Sequence, residues 1–310
     1  MKPGIKDVLW MVFGAALLLM VTFVALRFGK NQSPAELLAF KARRVDVVEQ
    51  MRLGLASASE AEKSAVMAIT DEDSQKYADQ ARAATADVAH ERDKLALLLN
   101  KGGTQGEKDL LAQFSSAFSD FQNIDKDLLT LAVKNTNLKA YNLAFGPAAD
   151  AITDMNDALS RLMSKSDSSP DALAVTRLAF GAETAALRIQ SLLAPHIAEE
   201  SEAKMDALEA RMTADDEDVR RDLDRLAAMP AFTNDTDLAT ATLAYARFSD
   251  IRAKIIPLSR ENTNVRSLAI SLDQKRKIMF LCQDALASLQ QAILQEPIPG
   301  VTYGAPVSPR

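Results

Sequence analysis

Two short polar segments, Lys134-Asn135-Thr136-Asn137 and Glu261-Asn262-Thr263-Asn264, carry the residues of this chain best suited to recognition chemistry. An asparagine amide offers two donors and an acceptor, so Asn135, Asn137, Asn262 and Asn264 suit a polar pocket that hydrogen-bonds a small ligand. A structural role competes with this reading, because a buried asparagine in a helical bundle either fixes register at some cost in stability or ends a helix. Asn135 and Asn262 stand seven residues after the apolar Leu128 and Ile255, which continues a core spacing. Pro257 adds a freed carbonyl and a kink one turn before Asn262; the first segment has Thr130 in that place.

The other chemistry-bearing residues read as structural. His90, in Ala89-His90-Glu91-Arg92, lacks the second histidine of a zinc-protease helix, and His196 stands alone. No Glu-x-x-His pairs of the di-iron type occur. Asp215-Asp216-Glu217-Asp218 is an acidic run that reads as a solvated face before it reads as a cation site. Cys282 is the only cysteine, which excludes an internal disulfide; with no C-x-x-C-H, attached haem is excluded too. No nucleophile–base pair or metal cluster is visible, so a non-enzyme without catalytic residues, metal or cofactor is expected.

The elements that hold the polar segments repeat. Asn135 and Asn262 are 127 residues apart, and at that shift Phe118 aligns with Tyr245, Phe121 with Phe248, Ile124 with Ile251, Leu128 with Ile255 and Leu131 with Leu258. A period of this size is one small domain, which implies an internal duplication of a helical module. Phe114, Phe118, Phe121, Ile124, Leu128 and Leu131 form a nearly heptad seam, and Ala241, Tyr245, Phe248, Ile251, Ile255 and Leu258 repeat it. Ser33-Pro34-Ala35-Glu36 is a capping-box helix start, and Ser169-Pro170-Asp171 repeats the cap-plus-proline signal. Eight helices follow. They run over about 34–69, 74–99, 105–137 and 138–165 in the first copy, and about 171–193, 198–229, 235–264 and 265–295 in the second. Gly102-Gly103 breaks the first copy where Pro230 breaks the second, and Pro195 is expected to end the fifth helix.

The composition, with 11 glycines, one tryptophan and a net charge of −6, favours helices over sheet and argues against a nucleic-acid binder. Val8 to Leu26 contains no charge over nineteen residues, long enough to cross a bilayer core. A cleavable signal is the alternative, but the run is long for a signal core and no small-x-small cleavage site follows it. The expected fold is all-α, an N-terminal transmembrane helix followed by two tandem up-down four-helix bundles. The expected division is tail and anchor 1–30, first bundle 31–166, second bundle 167–295 and proline-rich tail 296–310.

An anchor leading into a long helical hairpin, followed by an F-x-x-F-x-x-I helix, a polar joint and a small-residue-rich last helix, resembles the four-helix-bundle sensor domain of methyl-accepting chemotaxis receptors. Phe118 to Ala144 and Tyr245 to Ser271 carry the resemblance. The tandem pair resembles that family's bimodular variants, in which two bundles stack. The second membrane helix and signalling part of such receptors are not found in these 310 residues. The resemblance implies that arginines of the first helix hold ligand carboxylates, which nominates Arg44 and Arg52, with Arg43 beside them; bidentate guanidinium geometry suits the role. Solvated or interface charges are the plainer reading of all three. The expected function is a binding module, sensor-like, for a small molecule or protein partner outside a bacterial inner membrane, single-pass, with its bulk in the periplasm. A homodimer is expected, and the alternative is an accessory or scaffold subunit of a larger membrane complex.

Overall fold

A computed structural model describes Met20 and residues 33–298. The expected anchor, Val8–Leu26, thus falls outside the described residues but for Met20, as does most of the proline-rich tail. Among the described residues no helix is long and apolar enough to cross a membrane.

The described chain is helical, with α1 Pro34–Met67, α2 Asp71–Gly102, α3 Gln105–Ala132, α4 Thr136–Phe145, α5 Pro147–Ser166, α6 Ala172–Ala198, α7 Glu202–Ala227, α8 Thr236–Glu261, α9 Thr263–Ile270 and α10 Arg276–Gln295. Local chemistry sets most boundaries. Ser33 and Glu36 form the expected capping box, and Thr104 with Glu107 forms a second at the start of α3. Asp235 accepts from the N–H groups of Asp237 and Leu238 to open α8. The helix start expected at Ser169-Pro170-Asp171 does not form as read, however. Ser169 Oγ accepts from the Asp171 N–H in a tight turn, and α6 begins at Ala172 without a side-chain cap. Pro195 does not end its helix either, since α6 continues through it to Ala198.

Helix packing departs from sequence order. The first bundle joins α1, α2 and α3 to α10, so that Val47, Met51, Leu55, Phe114, Phe118 and Phe121 share one core with Cys282, Leu286, Leu289 and Ile293. The second joins α6, α7 and α8 to α4 and α5, placing Ala151, Met155 and Leu162 among Ile189, Leu193, Val219, Phe248 and Ile255. Each bundle thus takes three helices from one half of the chain and its fourth from the other. The expected division at residue 166 does not describe this packing. Between α3 and α4 (residues 133–135), and again between α8 and α9 (residue 262), the joint does not turn the next helix back as a hairpin. It runs on into the neighbouring bundle instead.

Both long rods are irregular just beyond the joint. Gly146 separates α4 from α5, with Pro147 at the first position of α5. A Cβ there would sit 2.9 Å from the Asn142 carbonyl oxygen. In the other rod, a π turn at Ser271–Lys275 links α9 to α10, and residues 271–275 align at the 127-residue shift with 144–148. Each rod breaks its helical phase at one equivalent place.

Candidate functional site

The Asn-Thr-Asn segments meet where the two rods cross. Asn135 and Asn262 both take the left-handed conformation, φ 51° and 52°, which asparagine tolerates better than most residues. The N–H of Thr136 donates to Thr263 Oγ1 at 3.2 Å, and the N–H of Thr263 donates to Thr136 Oγ1 at 3.1 Å. Asn137 and Asn264 exchange N–H to Oδ1 bonds in the same reciprocal way. The amides complete the pattern, Asn137 Nδ2 donating to Asn262 Oδ1 at 2.7 Å and Asn264 Nδ2 to Asn135 Oδ1 at 3.0 Å. Residues 127 apart therefore occupy equivalent places about a local two-fold relation.

Outward, the same amides tie down the neighbouring hairpin turns. Asn135 Nδ2 reaches Asp71 and Ser74 at the start of α2, Asn137 Nδ2 the Ile197 carbonyl, and Asn262 Nδ2 the Glu199 carbonyl. The hydrogen bond from Asn135, with one from Lys139, holds the Asp71 carboxyl below its ordinary range. Each of the four asparagine amides is thus spent inside the joint, three of the asparagines being buried outright there. What the arrangement does chemically is lock a crossing, the register-fixing role of a buried asparagine.

One turn to the second-bundle side lies a group that the sequence reading passed over. His196 is fully buried; its Nδ1 is 2.7 Å from Ser259 Oγ and its Nε2 2.8 Å from Glu209 Oε1. Ser259 also donates to the His196 carbonyl, and Arg260 fans its guanidinium over Glu209, Glu202 and Asp206. Burial alone would raise the Glu209 carboxyl, but the hydrogen bonds from Arg260 and His196 outweigh it and hold the group down. The serine–histidine–carboxylate order resembles a hydrolase triad, yet Ser259 is fully buried. The group works as a polar clamp of α6, α7 and α8.

A second buried group lies under the π turn. Lys275 places Nζ 2.5 Å from Asp125 and 3.2 Å from the centroid of the Phe121 ring. Burial lowers the ammonium's proton affinity while Asp125 works against that. Glu62, fully buried beside them, has both carboxyl oxygens without a hydrogen-bond partner, and burial raises its proton affinity, Ser271 and Lys275 only partly offsetting this. The lysine at 275 stands where the first half has Ala148, so the charge belongs to the first bundle alone.

The remaining sequence candidates separate. Arg44 is buried, donating to Glu107 at 2.7 Å and pairing with Glu296, whereas Arg52, between Glu49 and Gln290, and Arg43 are both exposed. Among the described residues Arg44 and Arg52 do not converge on one cavity. His90 is exposed. Cys282 is buried with its thiol pushed up to about 12 by burial, as suits an inert core residue. The acidic run lies within α7, where Asp216 accepts from Tyr245 Oη, Arg220 and Arg252. Among the described residues no group of histidine, cysteine and carboxylate side chains could hold a metal ion.

No curated protein matches the chain. One match begins within α1 and stops at the turn after α5, a segment whose helices the fold divides between two bundles. Residues 42–169 match the model of a family described as a four helix bundle sensory module for signal transduction.

Proposed function

We propose that the chain is a non-catalytic, membrane-anchored, sensor-like binding module whose two halves arose by duplication, held by Val8–Leu26 with its bulk on the outer side of a bacterial inner membrane. The observation that carries this reading is the continuity of the two crossing rods. The rod α3–α4–α5 leads from the core of the first bundle into that of the second, and α8–α9–α10 leads back. A ligand that repacks the second bundle must therefore act on helices whose other ends build the first. The base of the first bundle holds both Pro34, eight residues after Leu26, and the end of α10, where Lys41 caps the carbonyls of Leu294 and Glu296. Tightly packed helix pairs with two discrete arrangements transmit such changes.

The ligand is a small molecule, and the copy number two. Metabolites are screened against the full-length chain by thermal shift, and each hit is followed by hydrogen exchange. A true ligand raises the melting midpoint and slows exchange in helices of both bundles. Protection confined to one bundle defeats the coupling argument.

A protein partner is the second reading, favoured by one observation. The rings of Tyr141 and Phe145 meet in a tilted contact, 4.3 Å between centroids, yet stay about half exposed, and Leu268 and Leu272, at the equivalent positions of the other rod, are exposed as well. If no metabolite shifts the melt and the chain extracts in fixed stoichiometry with other membrane proteins, it is an accessory subunit.

A further inference from the structure

The base of the first bundle carries a cavity of about 400 Å³ between the start of α1, the end of α2 and the residues after α10. Four cationic side chains, Lys41, Arg43, Arg44 and Lys101, line it, against the carboxylate of Glu296. Glu107 supplies one more carboxylate from below, paired to Arg44. Cations outnumber anions, and the buried Arg44 keeps its Nε without a hydrogen-bond partner. Lys41 is also the wall between this cavity and a second, of about 820 Å³, which is a groove along the outer face of α1. The groove's lining is mostly apolar, with Pro34, Ala35, Leu38, Ala42, Val45 and Leu294, and the carboxylate residues Asp46 and Glu49 stand at the end away from Pro34. It follows α1 from Pro34 to Glu49, about 22 Å at the helical rise.

We propose that this end of the molecule binds an anionic single-chain amphiphile, a fatty-acid carboxylate or a lysophospholipid phosphate. Its head lies among Lys41, Arg44 and Lys101, and its chain along the groove of α1. A cationic cavity that shares Lys41 with an adjoining apolar groove of acyl-chain length is complementary to that one class, whereas a soluble anion would leave the groove bare and a neutral lipid would leave the excess of cations over carboxylates in the cavity unmatched. Arginine suits the head, since its planar fork matches both carboxylate and phosphate. Glu296, part-exposed beside Arg44, is the internal anion that a ligand head displaces. The site rests on the anchored reading only for the nearness of lipid; the pocket chemistry stands without it.

The test uses the full-length chain in nonionic detergent and a myristate carrying a terminal diazirine. After photolysis the labelled peptides are mapped, and unlabelled competitors are titrated. Labelling should fall on residues 34–49. Competition should strengthen from decanoate to myristate by up to about fourfold per methylene, the affinity equivalent of burying one CH₂. Tetradecanol should compete at least tenfold less well than myristate. Leu38→Glu and Lys101→Gln, both at exposed positions, should each cut labelling severalfold without moving the melting midpoint. Lysophosphatidylglycerol is run beside myristate; whichever competes at the lower concentration identifies the source of the head group.

Equal competition by tetradecanol, full competition by acetate, or unchanged labelling in both variants overturns the proposal. So does a dimer in sedimentation that Leu38→Glu splits while labelling persists, because the groove would then belong to a second copy. Membrane fractionation of the same chain reports on the anchor separately, so failure of the site and failure of the anchored reading are told apart.

Discussion

Thr136 and Thr263 hold each other through three contacts: each backbone N–H donates to the other's hydroxyl, and the two hydroxyls lie 3.2 Å apart. Both are buried, so neither amide has water to turn to if the partner oxygen is removed. This pair is the pivot about which the two rods exchange bundles.

Replacing either threonine by valine keeps the shape and deletes one acceptor. Each single variant should cost about 1–3 kcal/mol, the penalty for an unsatisfied buried amide. The double variant should cost less than the sum, because the hydroxyl–hydroxyl contact is lost only once. Urea unfolding of the four species measures it; strict additivity within about 0.5 kcal/mol would show that the pair is not coupled.

Asn262 is asked for two things, a left-handed backbone and an amide that reaches Glu199. Asn262→Gly keeps the first and loses the second; Asn262→Ala loses both. Alanine should therefore be the less stable variant, by about 1–2 kcal/mol, the cost of a left-handed residue that bears a Cβ. Equal stability of the two would mean that the joint relaxes out of the left-handed region.

Much of this architecture was legible in the sequence, for identifiable reasons. Helix type and the core seam followed from the spacing of Phe114, Phe118 and Phe121, all fully buried, and the capping box at Ser33 formed as read. The Asn-Thr-Asn segments stood out because they recur at the domain-sized shift. Their geometry did not, since a polar joint between two amphipathic helices has the same local sequence whether it turns back or runs straight on. That choice is made by long-range packing, which leaves no local mark. His196, Ser259 and Glu209 were missed because they come from three helices and share no spacing, and a lone histidine carries no signal of its partners. Lys275 did have a signal: a lysine where the other half has Ala148, on a face that is otherwise core.

Lys275 and Asp125 are a buried ion pair, and breaking such a pair costs more than deleting it whole. Lys275→Met alone should destabilise by about 3–5 kcal/mol, by stranding the Asp125 carboxylate. Adding Asp125→Leu should recover most of the loss. A double variant as unstable as the single would show that the pair contributes through its packing against Phe121 and not through charge.

Glu62 gives a pH dependence whose sign follows from its burial. The folded carboxyl binds its proton more tightly than the unfolded one, whose ordinary value is 4.5. Stability from this group is therefore full below that value and declines as pH rises above it, until the folded carboxyl itself ionises. Glu62→Gln removes the titration, so the variant should gain on the parent as pH is raised from 5 to 8. Parallel stability curves over that range would sink the assignment.

The exchange of fourth helices makes the sharpest prediction about the whole chain. A protease site placed in the exposed turn at Ser168 would cut the chain between α5 and α6. If the bundles followed sequence order, the cut would release two independent domains that separate on gel filtration. In the observed packing, α5 lies in a core made by α6, α7 and α8, while α10 lies in one made by α1, α2 and α3. Each fragment therefore completes the other's bundle. The cut chain should elute as one particle, with an unchanged helical signal, and should come apart only in denaturant. Its melting midpoint should fall with dilution, since folding has become bimolecular. Two fragments eluting apart under native conditions would mean that the joints at Asn135 and Asn262 fold back in solution and that the rods do not cross.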